Sequence, residues 1–157
     1  STVVILDNRT TAMTGHQDHP GIAETLRGEP GKEVDIETLV RACGVTDVHR
    51  VDAFDIDAVE ETYREALAFD GPSVVIVEGP CYFVGPGAQG VYEVETDTCI
   101  ACGTCFELGC PAIKHAKAVN EKTGRAKSEI DPVLCVGCDM CAQVCPVEAI
   151  HPAETTE

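Results

Sequence analysis

Eight of the ten cysteines fall in two runs between residues 99 and 145. In the second run two residues separate Cys135 from Cys138 and Cys138 from Cys141, three separate Cys141 from Cys145, and Pro146 follows. This is the spacing with which a chain holds four-iron, four-sulfide clusters. Three thiolates converge from a tight loop whose N–H groups turn towards the sulfides, and the fourth thiolate reaches the other cluster. The proline ends the loop. The first run repeats the opening intervals at Cys99, Cys102 and Cys105, then takes one extra residue before Cys110 and Pro111. Gly109 would absorb that residue. Crossed ligation assigns Cys99, Cys102, Cys105 and Cys145 to cluster one, and Cys135, Cys138, Cys141 and Cys110 to cluster two. A zinc ribbon or a redox dithiol is the alternative. Zinc takes four ligands in two pairs, which leaves the third cysteine of each run and both Cys-Pro endings without a role. A disulfide framework suits a short secreted chain, and no basic stretch followed by an apolar one marks a secretion signal here.

A second candidate lies near the start. The segment from Asp7 to Gln17 is polar and rich in Thr, and it follows an apolar run. The amide oxygen of Asn8 suits a hard cation such as Mg²⁺, and the carbonyl of Thr10 would be a second ligand two residues on. Read from these residues alone, the segment is better taken as a polar loop capping a strand. His16 and His19 have no further ligands near in sequence to complete a zinc site. Cys43 and Cys81 stand outside the runs. Cys43 reads as a small buried hydrophobe on a helix face. Cys81 follows a strand end, where α/β sheets place their sites, although free cysteines are commonly buried.

The elements that must position these groups divide in two. Residues 1–80 alternate strand and helix. Thr2 to Leu6 is a continuous β-branched run, as expected of a strand buried on both faces. The periodicity predicts helices over 35–44 and 57–69, the second with Val59, Tyr63, Ala66 and Leu67 on one face. Val48 to Ala53 and Ser73 to Val77 read as strands. The alternation implies a parallel sheet with crossovers. Three strands make a poor sheet with both faces covered, so the sequence is expected to be a fragment, or to need another polypeptide for the rest of this domain. A Gly-Pro-Gly connector then leads to a short strand at 91–94 and to the cysteine runs. Each run ends in similar text, Cys110-Pro111-Ala112-Ile113 and Cys145-Pro146-Val147-Glu148-Ala149-Ile150, as a duplicated helix–strand unit would. The expected architecture is a partial α/β domain at 1–84 and a small α+β, two-cluster ferredoxin-like domain at 85–157.

Composition bounds the partners. The net charge is −16, and no segment concentrates Lys and Arg, so nucleic acid is not an expected partner. No apolar run approaches the roughly 18–20 residues of a membrane helix. The cytoplasm is the expected compartment.

The segment Asp7-Asn8-Arg9-Thr10-Thr11-Ala12-Met13-Thr14-Gly15-His16-Gln17, followed by His19-Pro20-Gly21, resembles the thiamine-diphosphate-binding segment of the large subunit of indolepyruvate:ferredoxin oxidoreductases. Those subunits also end in a two-cluster ferredoxin domain, whose first run carries the extra residue in text similar to Leu108-Gly109-Cys110-Pro111-Ala112-Ile113. Pro80-Cys81 after a strand is similar too. The resemblance implies that Asn8 and the Thr10 carbonyl bind Mg²⁺ and that Met13, Thr14, Gly15 and His16 line thiamine diphosphate. It implies oxidative decarboxylation of a 2-oxo acid, typically an aryl pyruvate, to an acyl-CoA. Electrons would pass through two 4Fe-4S clusters to an external ferredoxin. Residues 1–84 resemble only the later part of the diphosphate-binding domain. The other Mg²⁺ carboxylate and the acid that activates the aminopyrimidine would come from upstream sequence or companion subunits. No residue of this chain is therefore expected to be catalytic. A two-cluster electron carrier with an accessory α/β domain is the alternative, and it leaves Asn8 to Gln17 unexplained.

Overall fold

The computed structural model describes residues 1–11, 17–84 and 90–153. The chain divides into two compact units, Ser1–Gly85 and Pro86–Glu157.

The first unit runs β1 (Thr2–Asp7), α1 (Ile36–Ala42), β2 (Asp47–Asp52), α2 (Ile56–Ala68) and β3 (Ser73–Glu78). The three strands are parallel in the order β1-β3-β2, with Ser73 in register with both Thr2 and Asp47. The central strand is the apolar Ser-Val-Val-Ile-Val run, and Val75 and Ile76 are fully buried. Helix α2 starts where the Asp55 carboxylate accepts the Ala58 N–H at 2.9 Å, a side-chain N-cap. It buries Ala66 against Val51, Val75 and Val77, with Val59 and Tyr63 packed beside them. The Ser73 hydroxyl donates to the Ala66 carbonyl at 2.9 Å and also meets the Thr2 hydroxyl, which ties the end of α2 to β3 and β1. Helix α1 is capped by Asp35, which accepts the Thr38 N–H at 2.8 Å. Gly44 at φ 91° ends it, a left-handed turn that favours glycine.

Three expectations for this unit are corrected. β1 is an edge strand, not one buried on both faces: Val3 is 55% and Leu6 74% exposed. Cys43 is exposed, because α1 has only seven residues and buries none of them. Leu67 points outward at 72% exposure, one position past the buried Ala66. In each case apolar periodicity marks a face that no described residue of this unit covers.

The second unit runs β4 (Tyr92–Val94), a 3₁₀ helix (Thr104–Leu108), β5 (Ile113–Val119), β6 (Ala126–Ile130), α3 (Met140–Gln143) and β7 (Ile150–Pro152). This is two strand–helix–strand repeats, with β4 antiparallel to β7 and β5 antiparallel to β6. The β5–β6 hairpin turns at Asn120, whose side-chain oxygen accepts the N–H groups of Lys122 and Thr123. The core holds Ala112, Ile113, Ile130 and Ile150 around the buried Cys105. Tyr92, Val94, Phe106 and four further cysteines, Cys110, Cys135, Cys141 and Cys145, pack against it. Among the described residues no helix is long and apolar enough to cross a membrane.

Candidate cluster and cofactor sites

The two cysteine loops repeat one backbone pattern. The residue before the second cysteine has positive φ in both, Ala101 at 58° and Gly137 at 72°, and so does the residue after it, Gly103 at 92° and Asp139 at 67°. Alternation of right- and left-handed residues turns successive N–H groups to one side, and such a concavity favours an anion. The extra residue of the first run is accommodated at Gly109, which closes the 3₁₀ helix at φ 66°.

The loops bring the thiols together in two groups. Cys99, Cys102, Cys105 and Cys145 line one chamber, completed by Val94, Ile100, Ser128, Pro146, Val147, Ala149 and Ile150. Cys99 and Cys105 are buried in it, while Cys102 is exposed. Cys135, Cys138 and Cys110 all lie close enough to Cys141 to repel its thiolate charge. The last cysteine of each run thus sits with the first three of the other. Among the described residues no three His, Cys, Asp or Glu side chains converge on a point that suits one metal ion. Four thiols instead line the walls of the first chamber, as the corners of a larger inorganic group require.

Donors already point at the sulfurs. The Ala149 N–H donates to Cys145 Sγ at 3.2 Å and the Tyr92 N–H to Cys135 Sγ at 3.4 Å. Ser128 Oγ lies 3.1 Å from Cys105 Sγ, and the Thr104 hydroxyl donates to Cys102 Sγ at 3.5 Å. The Thr104 contacts hold the Cys102 thiol below its ordinary pKa. Burial, reinforced by repulsion from Cys138, Cys135 and Cys110, pushes the Cys141 thiol up to about 11. The Cys141 thiol therefore stays protonated near neutral pH until cationic iron enters beside it, since metal ligation demands the thiolate. The donor set, its N–H groups and its repeated loops fit a pair of iron–sulfur clusters.

At the other candidate site β1 ends in Asp7, which is 5% exposed. Its carboxylate accepts the Arg9 N–H at 3.0 Å and the Arg9 guanidinium at 3.2 Å. These contacts hold Arg9 at φ 62°, a left-handed conformation uncommon outside glycine and asparagine. The resulting turn carries Asn8 and Thr10 beyond the carboxyl end of the sheet. The Asn8 side-chain oxygen accepts the Thr10 N–H at 3.2 Å, and the Asn8 carbonyl accepts the Cys81 N–H at 2.9 Å. Asn8 and Cys81 therefore meet across the ends of β1 and β3. Cys81 is partly exposed, not buried as free cysteines commonly are. A cleft beside them is lined by Arg9, Arg50, Asp52, Phe54, Glu78 and Gly79, among others. Its arginines are already paired, Arg9 with Asp7 and Glu33, Arg50 with Asp35 and Glu78. Met13, Thr14, Gly15 and His16 lie outside the described residues.

Residues 1–77 match the family model "Thiamine pyrophosphate enzyme, C-terminal TPP binding domain", and residues 98–149 match the "4Fe-4S dicluster domain". The indolepyruvate oxidoreductase subunit IorA of Pyrococcus abyssi is 40% identical over 163 aligned residues, which cover 99% of this chain and 24% of that protein. The subunit of the same name from Methanothermobacter marburgensis is 43% identical over 152, covering 96% and 23%. The chain belongs to the IorA family. It spans about a quarter of the length of the curated IorA relatives it matches and corresponds to their C-terminal part. Ferredoxin-3 of a Nostoc species is 31% identical over 66 residues, covering 34% of this chain and 68% of that protein. The IorA family likeness thus takes in both units, and the ferredoxin likeness about a third of the chain. The fold agrees with the α/β plus ferredoxin-like architecture read from the sequence.

Several site residues were not legible in the sequence. Ser128 is an inconspicuous serine in a lysine- and glutamate-bearing strand, and its inward face depends on a hairpin that the periodicity did not reveal. Asp7 and Arg9 read as loop polarity. The only sequence signal for their pairing was the opposite charge two residues apart.

Proposed function

We propose that this chain is the C-terminal part of a thiamine-diphosphate-dependent 2-oxoacid:ferredoxin oxidoreductase. Its substrate is an aryl pyruvate such as indolepyruvate, its product an acyl-CoA made with coenzyme A, and its electron acceptor an external ferredoxin. The observation that carries the reading is the coexistence in one chain of a strand-end loop of the thiamine-enzyme type and two crossed groups of four cysteines. A simple electron carrier needs only the second.

When bound, thiamine diphosphate stabilises the carbanion left by loss of CO₂, and iron–sulfur clusters accept electrons singly. The chain's own residues then have distinct tasks. Asp7 fixes the turn through Arg9. That turn presents the Asn8 amide oxygen and the Thr10 carbonyl to Mg²⁺, both hard oxygen donors. Met13, Thr14, Gly15 and His16 line the cofactor. Cys99, Cys102, Cys105 and Cys145 hold one cluster, and Cys135, Cys138, Cys141 and Cys110 the other. Residues 1–84 act as the cofactor-binding part and residues 85–157 as the electron outlet. The remaining cofactor contacts come from the rest of the enzyme or from companion subunits, in the cytoplasm.

The test uses the complete enzyme isolated without oxygen. It should contain about eight iron and eight sulfide for each copy of this chain, and thiamine diphosphate as well. The Asn8→Leu variant offers no oxygen to Mg²⁺. By calorimetric titration at equal Mg²⁺ it should bind thiamine diphosphate more weakly, with the cluster spectrum unchanged. Equal affinities would remove Asn8 from the site. Absence of thiamine diphosphate from the complete, metal-replete enzyme would favour the carrier.

A further inference from the structure

We propose that Ser128 sets the reduction potential of the cluster held by Cys99, Cys102, Cys105 and Cys145, by donating its hydroxyl hydrogen to the Cys105 sulfur. The inference rests on the two-cluster reading above and goes beyond it, because no cysteine spacing specifies a serine twenty-three residues away.

Ser128 sits on β6, in register with His115 of β5, and is 5% exposed. It lines the chamber of this cluster. Its Oγ is 3.1 Å from Cys105 Sγ, within hydrogen-bonding distance for sulfur, and Cys105 is itself 6% exposed. In the free thiol either atom can donate. An iron-bound Cys105 sulfur carries no proton, so Ser128 becomes the donor. A buried hydroxyl without a partner is costly, which holds the O–H on the sulfur in both redox states.

Reduction adds one negative charge to the cluster, and part of it resides on the cysteine sulfurs. An O–H dipole aimed at Cys105 stabilises that added charge, and hydrogen bonds to the sulfurs are among the determinants of cluster potential. Burial strengthens the effect, since water does not compete for either atom. The Thr104 hydroxyl acts on the same cluster through Cys102, but that sulfur is exposed and its contact is longer, at 3.5 Å. On the other cluster the Tyr92 donor is a backbone N–H, which a side-chain change does not remove. Ser128 is therefore a positioning and tuning residue that biases the electron towards one member of the pair.

The test compares the anaerobically purified complete enzyme with its Ser128→Ala and Ser128→Thr variants by redox titration followed with electron paramagnetic resonance. In Ser128→Ala one cluster should become harder to reduce, by about threefold to tenfold in its reduced-to-oxidised ratio at fixed potential. Tenfold corresponds to about 59 mV for one electron. The second cluster should not move, and Ser128→Thr, which keeps a hydroxyl, should return towards the parent. Pulsed resonance of the reduced parent in D₂O should detect an exchangeable deuteron that the alanine variant lacks. An unchanged midpoint in an iron-replete Ser128→Ala enzyme overturns the proposal, as does an equal shift of both clusters. Should Ser128→Ala lose the cluster, a threonine variant with the parent's potential and a deuteron signal in the parent still support the proposal, and absence of either overturns it. A parent with fewer than two clusters sinks the two-cluster reading, and this inference with it.

Discussion

Cys110 and Cys145 each end one run and stand with the first three cysteines of the other. Cys145 shares a chamber with Cys99, Cys102 and Cys105, and its sulfur also receives the Ala149 N–H. Replacing it with alanine removes one thiol from that group and none from the group of Cys110, Cys135, Cys138 and Cys141. In the complete enzyme Cys145→Ala should lose or convert one cluster, read by iron content and by the resonance spectrum, while the other signal stays near the parent's. Loss of the cluster of Cys135, Cys138 and Cys141 instead would show that ligation is not crossed. Cys43→Ala serves as the control: this thiol is exposed in the other unit and both clusters should persist. The eight cysteines were legible because ligand spacing is a local property of the chain. Ser128 and Asp7 were not, because their roles depend on which residue a distant segment brings opposite them.

At the scale of elements, the cap of α1 offers a test in which pH is the variable. Thr38 donates both its hydroxyl and its N–H to the Asp35 carboxylate, and with Arg50 nearby these contacts hold Asp35 below its ordinary pKa of 3.8. A carboxylate whose folded pKa is lowered stabilises the fold above its unfolded pKa, and loses that contribution as pH falls through the lower, folded value. Asp35→Asn keeps an N-cap side chain but cannot ionise. The melting temperatures of parent and variant should therefore differ at neutral pH and converge as the medium is acidified below pH 3.8. A gap that persists into acid would mean the carboxylate charge is not what matters. The same elements mark the reach of sequence reading. Both helices and all three strands of the first unit lie close to their predicted spans, because their apolar patterns are clear and the helices stop at Gly44 and at Gly71-Pro72. The β5–β6 hairpin was missed. Its strands carry Lys114, Lys117, Lys127 and Glu129 and follow no two-residue alternation strong enough to announce them. The burial of β1, α1 and Leu67 was over-read for a related reason: an apolar face says that something is to be covered, not that the covering element lies within the same stretch of chain.

The two units of the whole molecule owe their cohesion to different things. The first has an aliphatic core of Val51, Ala66, Val75 and Val77 that includes no cysteine. In the second, Cys105 is part of the core, and Cys110, Cys135, Cys141 and Cys145 pack against it. Its 3₁₀ helix has five residues and α3 has four, too short to hold themselves by helix propagation. Its strands pair only two by two, and a lone pair of strands is marginal in water. Iron bound by thiolates from both runs would cross-link these pieces, and a ligand absent from the unfolded state stabilises the folded one by mass action. Oxidative removal of the clusters with a chelator present should therefore unfold residues 90–153 while the sheet of residues 1–84 keeps its protection. Limited proteolysis of the complete enzyme before and after the treatment, read by mass spectrometry, makes the comparison directly. New cuts should gather in the cysteine loops and the β5–β6 hairpin, and peptides spanning β3 and α2 should stay uncut. Cuts that appear equally in both units would mean that the clusters support the whole chain and that the two cores are not independent. An unchanged pattern would mean that the small unit holds itself without iron.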